Sequence, residues 1–434
     1  MSTKNPVAFV PEAYNPDAYN PNAYNMIVYS RPQNHSELMF FPRRPQAGLS
    51  TLEDIASSSG GQEIQGAGEL GGQQFGAAFT AKAMTAESRS EPGAVVAFLE
   101  GCYPMAVMFN TATGAWTSAQ AQAAIAAADR TNVFRALEGL PGQTEVPVVV
   151  ESAKALGDAI GKVASSAGRA LVQSSVAPMC ADMRLVDVSR SPAVPVDIYE
   201  AATKTSPDHL LIVAPFLGQK DSKPEICCDG ILANGELVFS AFSEKARVAS
   251  EPPYEDLRIV TSDDLDPGVR EAARDVAAQL AAKLGVRNCV FHAEFWVTGN
   301  GPQLSDFMTR PGGGLIPEMV KAKWGVDLRA AHVYASFAMA DELARIAREA
   351  KTAPEQVAIG SLYSAPGKTA MMLGNDERAT LAEDKRVIAY SVVSEFSNSA
   401  VGSNDSRGAL CVRGGDSAGA VAALDDIAAR FGLV

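Results

Sequence analysis

Hydrophobic positions along the chain follow two periods, which predicts strands and helices mixed throughout. The run Ala94-Val95-Val96-Ala97-Phe98-Leu99 is apolar without interruption, as a buried parallel strand would be. Met26-Ile27-Val28-Tyr29-Ser30 is a shorter β-branched run suited to opening an α/β domain. Residues 117–139 and 151–165 are Ala-rich and read as helices separated by Pro141-Gly142, with a strand from Val146 to Val150 between them. Arg169 to Ser174, Met183 to Val188 and Leu210 to Val213 read as strands, and two hairpins follow. Residues 266–284 form a helix with Pro267 near its first turn, and Ala330 to Ala350 form another with an apolar stripe. The final stretch alternates strand (Val387 to Val393, Gly408 to Val412) and helix (Ser417 to Phe431), the helix capped by Asp416 or Ser417. This order of elements predicts an α/β or α+β architecture.

Two segments fall outside the periodic pattern. The first 25 residues repeat Ala13-Tyr14-Asn15-Pro16, Ala18-Tyr19-Asn20-Pro21 and Ala23-Tyr24-Asn25, with turn formers at every step. They read as a flexible arm, or as a segment ordered on the partner subunit of a homodimer. Residues 57–78 are rich in Ser, Gly and Gln and read as a loop.

Composition narrows the class. With 434 residues the chain is long enough for two or three domains, and 47% hydrophobic with 20% charged residues is a globular balance. The net charge of −13 argues against a nucleic-acid partner. No apolar run reaches the roughly 18–20 residues that span a bilayer, and Met1 to Phe9 lacks a charged-then-apolar leader, so no membrane partner and a cytoplasmic location are expected. The six cysteines (Cys102, Cys180, Cys227, Cys228, Cys289, Cys411) show no CxxC spacing and read as buried free thiols.

Three short motifs fail on context. Gly66-Ala67-Gly68-Glu69-Leu70-Gly71 matches a dinucleotide fingerprint, but no strand precedes it. Gly367-Lys368-Thr369 resembles the end of a phosphate-binding loop, yet Leu362 stands where its first glycine belongs. His292-Ala293-Glu294 resembles a zinc deaminase signature without the cysteine pair that must follow.

The segment that carries chemistry runs from Val290 to Gly314. Alternation puts Phe291, Ala293, Phe295 and Val297 on one apolar face, and His292, Glu294 and Trp296 on the other. Thr298-Gly299-Asn300-Gly301-Pro302 is a turn, and Gln303 to Met308 is the return strand. If the turn centres on Asn300, cross-strand partners have numbers summing to 600, so Glu294 faces Asp306 and His292 faces Met308. Like charges facing one another in a sheet are destabilising unless a cation lies between them, and two converging carboxylates suit Mg²⁺. Arg310 offers a planar fork of donors for phosphate or carboxylate, and Gly312, Gly313 and Gly314 permit close backbone approach to an anion. The alternative is a solvated hairpin with a flexible glycine loop.

Residues 292–320 resemble the ATP-grasp segment written roughly HxEF-(turn)-hxEhNxRxGGG, and Glu225 to Glu236 is similar to the family's ExxhDGhhxxG hairpin. Asp129-Arg130 with Phe134 to Leu137 resembles the helix that opens the ATP-grasp domain. Gly408 to Val412 with the helix after it looks like the closing subdomain of biotin-carboxylase-like members. The resemblance covers about residues 94–434 and includes L-amino-acid-ligase-like members. It implies an arm at 1–25, an N-terminal α/β pre-ATP-grasp domain at 26–125, a small lid subdomain at 126–209, a central catalytic subdomain at 210–350 and a C-terminal closing subdomain at 351–434. It further implies ATP and Mg²⁺ as cofactors, and an amide bond formed between a small carboxylate and an amine substrate through an acyl phosphate.

By the same resemblance, Glu294 and Asp306 hold Mg²⁺, and Arg310 and Lys245 are catalytic. Glu225 contacts ribose, and Ala214, Pro215, Phe216 and Leu217 form the linker that hydrogen-bonds adenine. Arg130 and Gln173 lie at phosphate-contacting positions, and His292 with Gly312 to Gly314 faces the substrate. Lys245 also reads as an ordinary solvent-exposed lysine. Three departures stand out: Gln173 replaces a phosphate-gripping lysine, Met308 replaces an asparagine, and Ser175 to Cys180 replaces a glycine-rich lid. They leave open a member that binds a ligand or partner without ligating, and a thiol acceptor is a third possibility. Specificity is expected in the loops around 175–182, 247–256 and 312–324.

Overall fold

A computed structural model describes residues 38–63, 93–98, 103–143, 146–174, 184–187, 197–200, 210–217, 225–248, 256–362, 375–392 and 408–431. The Tyr-Asn-Pro repeat, Met26 to Ser30, Gly66 to Gly71, Leu99, Cys102, residues 175–182 and Gly367 lie outside them. The chain divides into two compact units, one of Met1–Val28 with Pro147–Phe216 and one of Tyr29–Val146 with Leu217–Val434.

The first unit is a four-stranded antiparallel sheet in the order β4 (Val148–Val150), β7 (Leu211–Pro215), β5 (Arg169–Ser174), β6 (Arg184–Asp187). The helix Ala153–Ala167 packs on it through Leu156, Ile160 and Val163, which meet Val172, Leu211 and Val213. The strands read from the apolar runs are thus present, with boundaries shifted by a residue or two.

The second unit holds two sheets. β1 (Leu38–Phe41) lies between β2 (Gln62–Glu63) and β3 (Ala94–Ala97). β3 is buried at all four residues but pairs antiparallel with β1, so burial was read correctly from its sequence and strand direction was not. The larger sheet has eight strands in the order β12 (Gly301–Met308), β11 (Cys289–Thr298), β8 (Glu225–Ala233), β9 (Glu236–Val248), β10 (Asp256–Thr261), β13 (Gln356–Leu362), β15 (Gly408–Gly414), β14 (Val387–Val392).

β8 is buried at all nine positions because both its faces are covered. Its residue Gly230 is set by packing: a Cβ there would lie 2.3 Å from the Phe291 ring. Asn234 and Gly235, at φ 54° and 90°, close the β8–β9 hairpin with the positive φ angles that a two-residue turn needs. One face of the sheet carries Phe291, Phe295 and Phe307, covered by the helix Pro267–Lys283. Asp266 caps that helix by accepting from Gly268 and Val269. The other face carries Ile231 and Val290 into the core, beneath the helices Ile316–Trp324, Leu328–Ser336 and Ala340–Arg348.

The single helix expected over 330–350 is two. The chain turns at Phe337 and Ala338, where Ala338 has φ 52°. In an unbroken helix Tyr334 and Leu343 would be nine residues apart, about half a turn out of phase at 100° per residue. Both side chains are fully buried, and the break turns the two of them into one core. Asp416 is the cap of the helix Ser417–Arg430, accepting from Gly419.

Candidate active site

β11 and β12 pair as their turn chemistry requires, but through two compensating steps. The turn is Gly299-Asn300, with Thr298 opposite Gly301, so partner numbers near the turn sum to 599. An irregularity between Glu294 and Phe295 leaves Ser305 without a partner and raises the sum to 600 further along. Glu294 therefore lies opposite Asp306, and His292 opposite Met308. On the neighbouring strand β8, Trp296, Glu294 and His292 face Glu225, Cys227 and Asp229. Exposure along this face rises from 0% at Val290 through 2% at His292 to 22% for the Glu294 side chain, so the core opens into the site.

The charges in this ladder are paired. Lys245 reaches from β9 to Glu225 Oε1 at 2.7 Å and Glu294 Oε2 at 3.1 Å, with its side chain only 4% exposed. That burial removes the reading of Lys245 as a surface lysine. His292 lies between Asp229 Oδ1 at 2.9 Å from Nδ1 and Glu294 Oε1 at 3.2 Å from Nε2. Burial opposes charging the ring, but the Asp229 carboxylate outweighs it with help from Glu294, and the imidazole is pushed up to about 10. Burial likewise opposes ionising Glu294, while Lys245 and then His292 hold it well below the usual carboxylate range.

Asp306 accepts from Arg130 Nη2 at 3.2 Å and from the Phe307 amide at 2.9 Å. Arg130 is the first residue of the helix Arg130–Leu137, whose cap Asp129 accepts from Thr131 at 2.8 Å. Arg310 is buried, donating to its neighbour Pro311 O at 2.7 Å and to the Met308 thioether at 3.0 Å. The Tyr103 hydroxyl donates to the Thr309 carbonyl and so ties the helix Tyr103–Ala112 to this loop.

Glu225, Asp229, Glu294 and Asp306 are thus paired with Lys245, His292 and Arg130, and Arg310 on the Met308 thioether is a fourth cation, so with the imidazole protonated the constellation sums to neutral. A facing carboxylate pair calls for positive charge, and here protein cations supply it. The donors remain suited to a divalent ion, because a carboxylate has about four lone-pair sites and each here uses only some of them.

The glycine loop is not uniform. A Cβ on Gly312 would lie 2.8 Å from Ile316 and 2.9 Å from His292 Nδ1, whereas Gly313 and Gly314 face open space. Gly312 is therefore fixed by its seat on the imidazole.

The expected nucleotide residues of the first unit have their own local arrangement. Gln173 is buried on β5 opposite Ile212, and Ala214 and Pro215 end β7. The Phe216 amide donates to Arg169 O at 3.1 Å, and the Arg169 guanidinium lies 4.6 Å over the Phe216 ring. Leu217 follows, half-buried, as the first residue of the second unit's closing segment.

Asp229, part of the ExxhDGhhxxG match, and Cys227, read as a buried free thiol, are given no site role by the sequence reading. Their signal was present: Glu225, Cys227 and Asp229 alternate along a strand and so share a face.

No known protein family's sequence model matches the chain, and no curated protein sequence matches it. Solved structures do. An L-amino acid ligase from Bacillus licheniformis aligns at 12% identity with a TM-score of 0.60, covering 82% of this chain and 84% of that one. Biotin carboxylase from Campylobacter jejuni, in complex with β,γ-ATP, aligns at 14% identity and TM-score 0.51 over 71% of this chain and 67% of that one. Carboxyaminoimidazole ribonucleotide synthase from Aspergillus clavatus, complexed with ATP, gives 14% identity and TM-score 0.51 over 72% and 75%. At such identities the likeness speaks to the fold, and the fold is that of the ATP-grasp proteins.

Proposed function

We propose that the protein is an ATP- and Mg²⁺-dependent carboxylate–amine ligase acting on small acids or amino acids. The observation that carries this reading is the Glu294–Asp306 pair, set face to face on adjacent strands with Arg310 and Lys245 beside it. The neutral charge balance adds a condition. A bare divalent ion would leave the site positive, whereas a metal bound to a polyphosphate brings net negative charge. Metal and nucleotide should therefore enter together.

In the reaction proposed, the substrate carboxylate takes the γ-phosphoryl group, and the amine then displaces phosphate from the acyl phosphate. Mg²⁺, when bound by Glu294 and Asp306, would neutralise charge on the phosphoryl oxygens. Arg130, Lys245 and Arg310 are the side chains whose positive charge is preorganised around that position, and electrostatic preorganisation is a large term in such transfers. His292 holds Glu294 and, through its contact with Gly312, the glycine loop.

Phosphate release from ATP and Mg²⁺ against panels of carboxylic acids paired with amines tests the proposal. Turnover that requires both partners is expected, and Asp306→Asn should reduce it at least about 100-fold, the scale of one electrostatic group at a charged transition state. Absence of both turnover and ATP binding by calorimetry would reject the reading. ATP binding without turnover would favour a protein that binds its ligand without ligating, as the neutral Gln173 on β5 suggests. Turnover with thiols but not amines would move the acceptor class.

A further inference from the structure

The site face holds a second donor set, which shares His292 and Glu294 with the ligase reading and adds Cys227. Cys227, His292 and Glu294 each offer one ligand atom, and all three atoms lie within 4.8 Å of one another. They come from two adjacent strands, Cys227 lying opposite Glu294 in the β8–β11 register. Two ligands at about 2.0–2.1 Å from a tetrahedral Zn²⁺ are about 3.3 Å apart. His292 Nε2 and Glu294 Oε1 are 3.2 Å apart, which matches that spacing, and a turn of the ring or the carboxylate would let both face one ion. A thiolate sulfur at about 2.3 Å would be about 3.5 Å from each, a shift of roughly 1.3 Å at most from the present separation.

A further contact points the same way. Asp229 accepts from His292 Nδ1 at 2.9 Å, with both residues buried. A carboxylate on one ring nitrogen is the arrangement that orients the other nitrogen toward a metal. Glu294 is half-buried and gives the ion a route from solvent.

We infer that Cys227, His292 and Glu294 form a site for a borderline divalent transition ion, Zn²⁺ or Co²⁺. Binding is balanced: one dication enters as the thiol proton and the imidazolium proton leave to solvent, so the total charge of the site is unchanged. The soft sulfur selects against Mg²⁺. Glu294 is shared with the Mg²⁺ position of the proposed function, so an ion held here would compete for that carboxylate; this consequence rests on the ligase reading, whereas the binding of the metal does not.

Co²⁺ titrated into the full-length protein, without nucleotide, tests it by absorbance. A thiolate-to-cobalt charge-transfer band in the near ultraviolet is expected at one equivalent, displaced by Zn²⁺. Cys227→Ser, which keeps the side chain's size, should remove the band and weaken Co²⁺ binding at least about tenfold, whereas Cys289→Ser should leave both unchanged. No band in the unsubstituted protein, or a band that survives Cys227→Ser, would overturn the assignment.

Discussion

Replacing Lys245 by Met tests the charge ladder directly. The ammonium is 4% exposed and holds Glu225 at 2.7 Å and Glu294 at 3.1 Å. Glu294 is 22% exposed and keeps His292, so solvent and the imidazole compensate it in part. Glu225 is 7% exposed and loses the Lys245 ammonium at 2.7 Å. Breaking a buried pair by removing one partner costs about 3–5 kcal/mol, and we place Lys245→Met at the lower end, about 3 kcal/mol. All three tryptophans (Trp116, Trp296, Trp324) lie in the second unit, so urea unfolding followed by fluorescence reports that unit alone. Adding Glu225→Gln to Lys245→Met should recover about 1–2 kcal/mol, because the buried carboxylate that Lys245 held is neutralised. A loss below about 1 kcal/mol, as for exposed ion pairs, would show that Lys245 is solvated and that the ladder is not closed.

Two further outcomes follow. His332 is buried with Nε2 on the Ala97 carbonyl at 2.8 Å, and burial pushes it down to about 4 from an ordinary 6.5. The unfolded chain then binds the extra proton between those values, so stability present above pH 6.5 should fall by about 3 kcal/mol as pH drops to 4, and a His332→Gln variant should lose that part of the slope; identical pH profiles would refute it. Gly312→Ala should cost about 1–3 kcal/mol through overlap with Ile316 and His292, while Gly313→Ala should be near neutral; equal effects in urea unfolding would contradict the seat on His292.

Much of this site could be read from alternation and turn chemistry, and some of it for an incomplete reason. Placing the turn centre on Asn300 gives the right partner for Glu294 only because the irregularity at Ser305 offsets a turn that is one residue shorter. Bulges leave little trace in hydrophobic pattern, so the true register could not be derived. Long-range pairing was equally hidden: nothing near Arg130 in sequence indicates that it meets Asp306 across 176 positions. Lys323 is another case, a lysine with 0% exposure held by Asp263 at 3.0 Å. The break at Ala338 has no glycine or proline to announce it, and shows only in how Tyr334 and Leu343 come into one core. Residue types and strand faces are local properties and were recoverable. Charge compensation is a property of the assembled sheet.

The central claim is that Glu294 and Asp306 seat a divalent ion that arrives with nucleotide. Electron paramagnetic resonance of Mn²⁺, titrated with and without a non-hydrolysable ATP analogue, measures this most directly. The account expects weak Mn²⁺ binding alone, at least about tenfold tighter binding with the analogue, and loss of that gain in Glu294→Gln and in Asp306→Asn. Mn²⁺ binding that ignores the analogue, or that survives both substitutions, would contradict it.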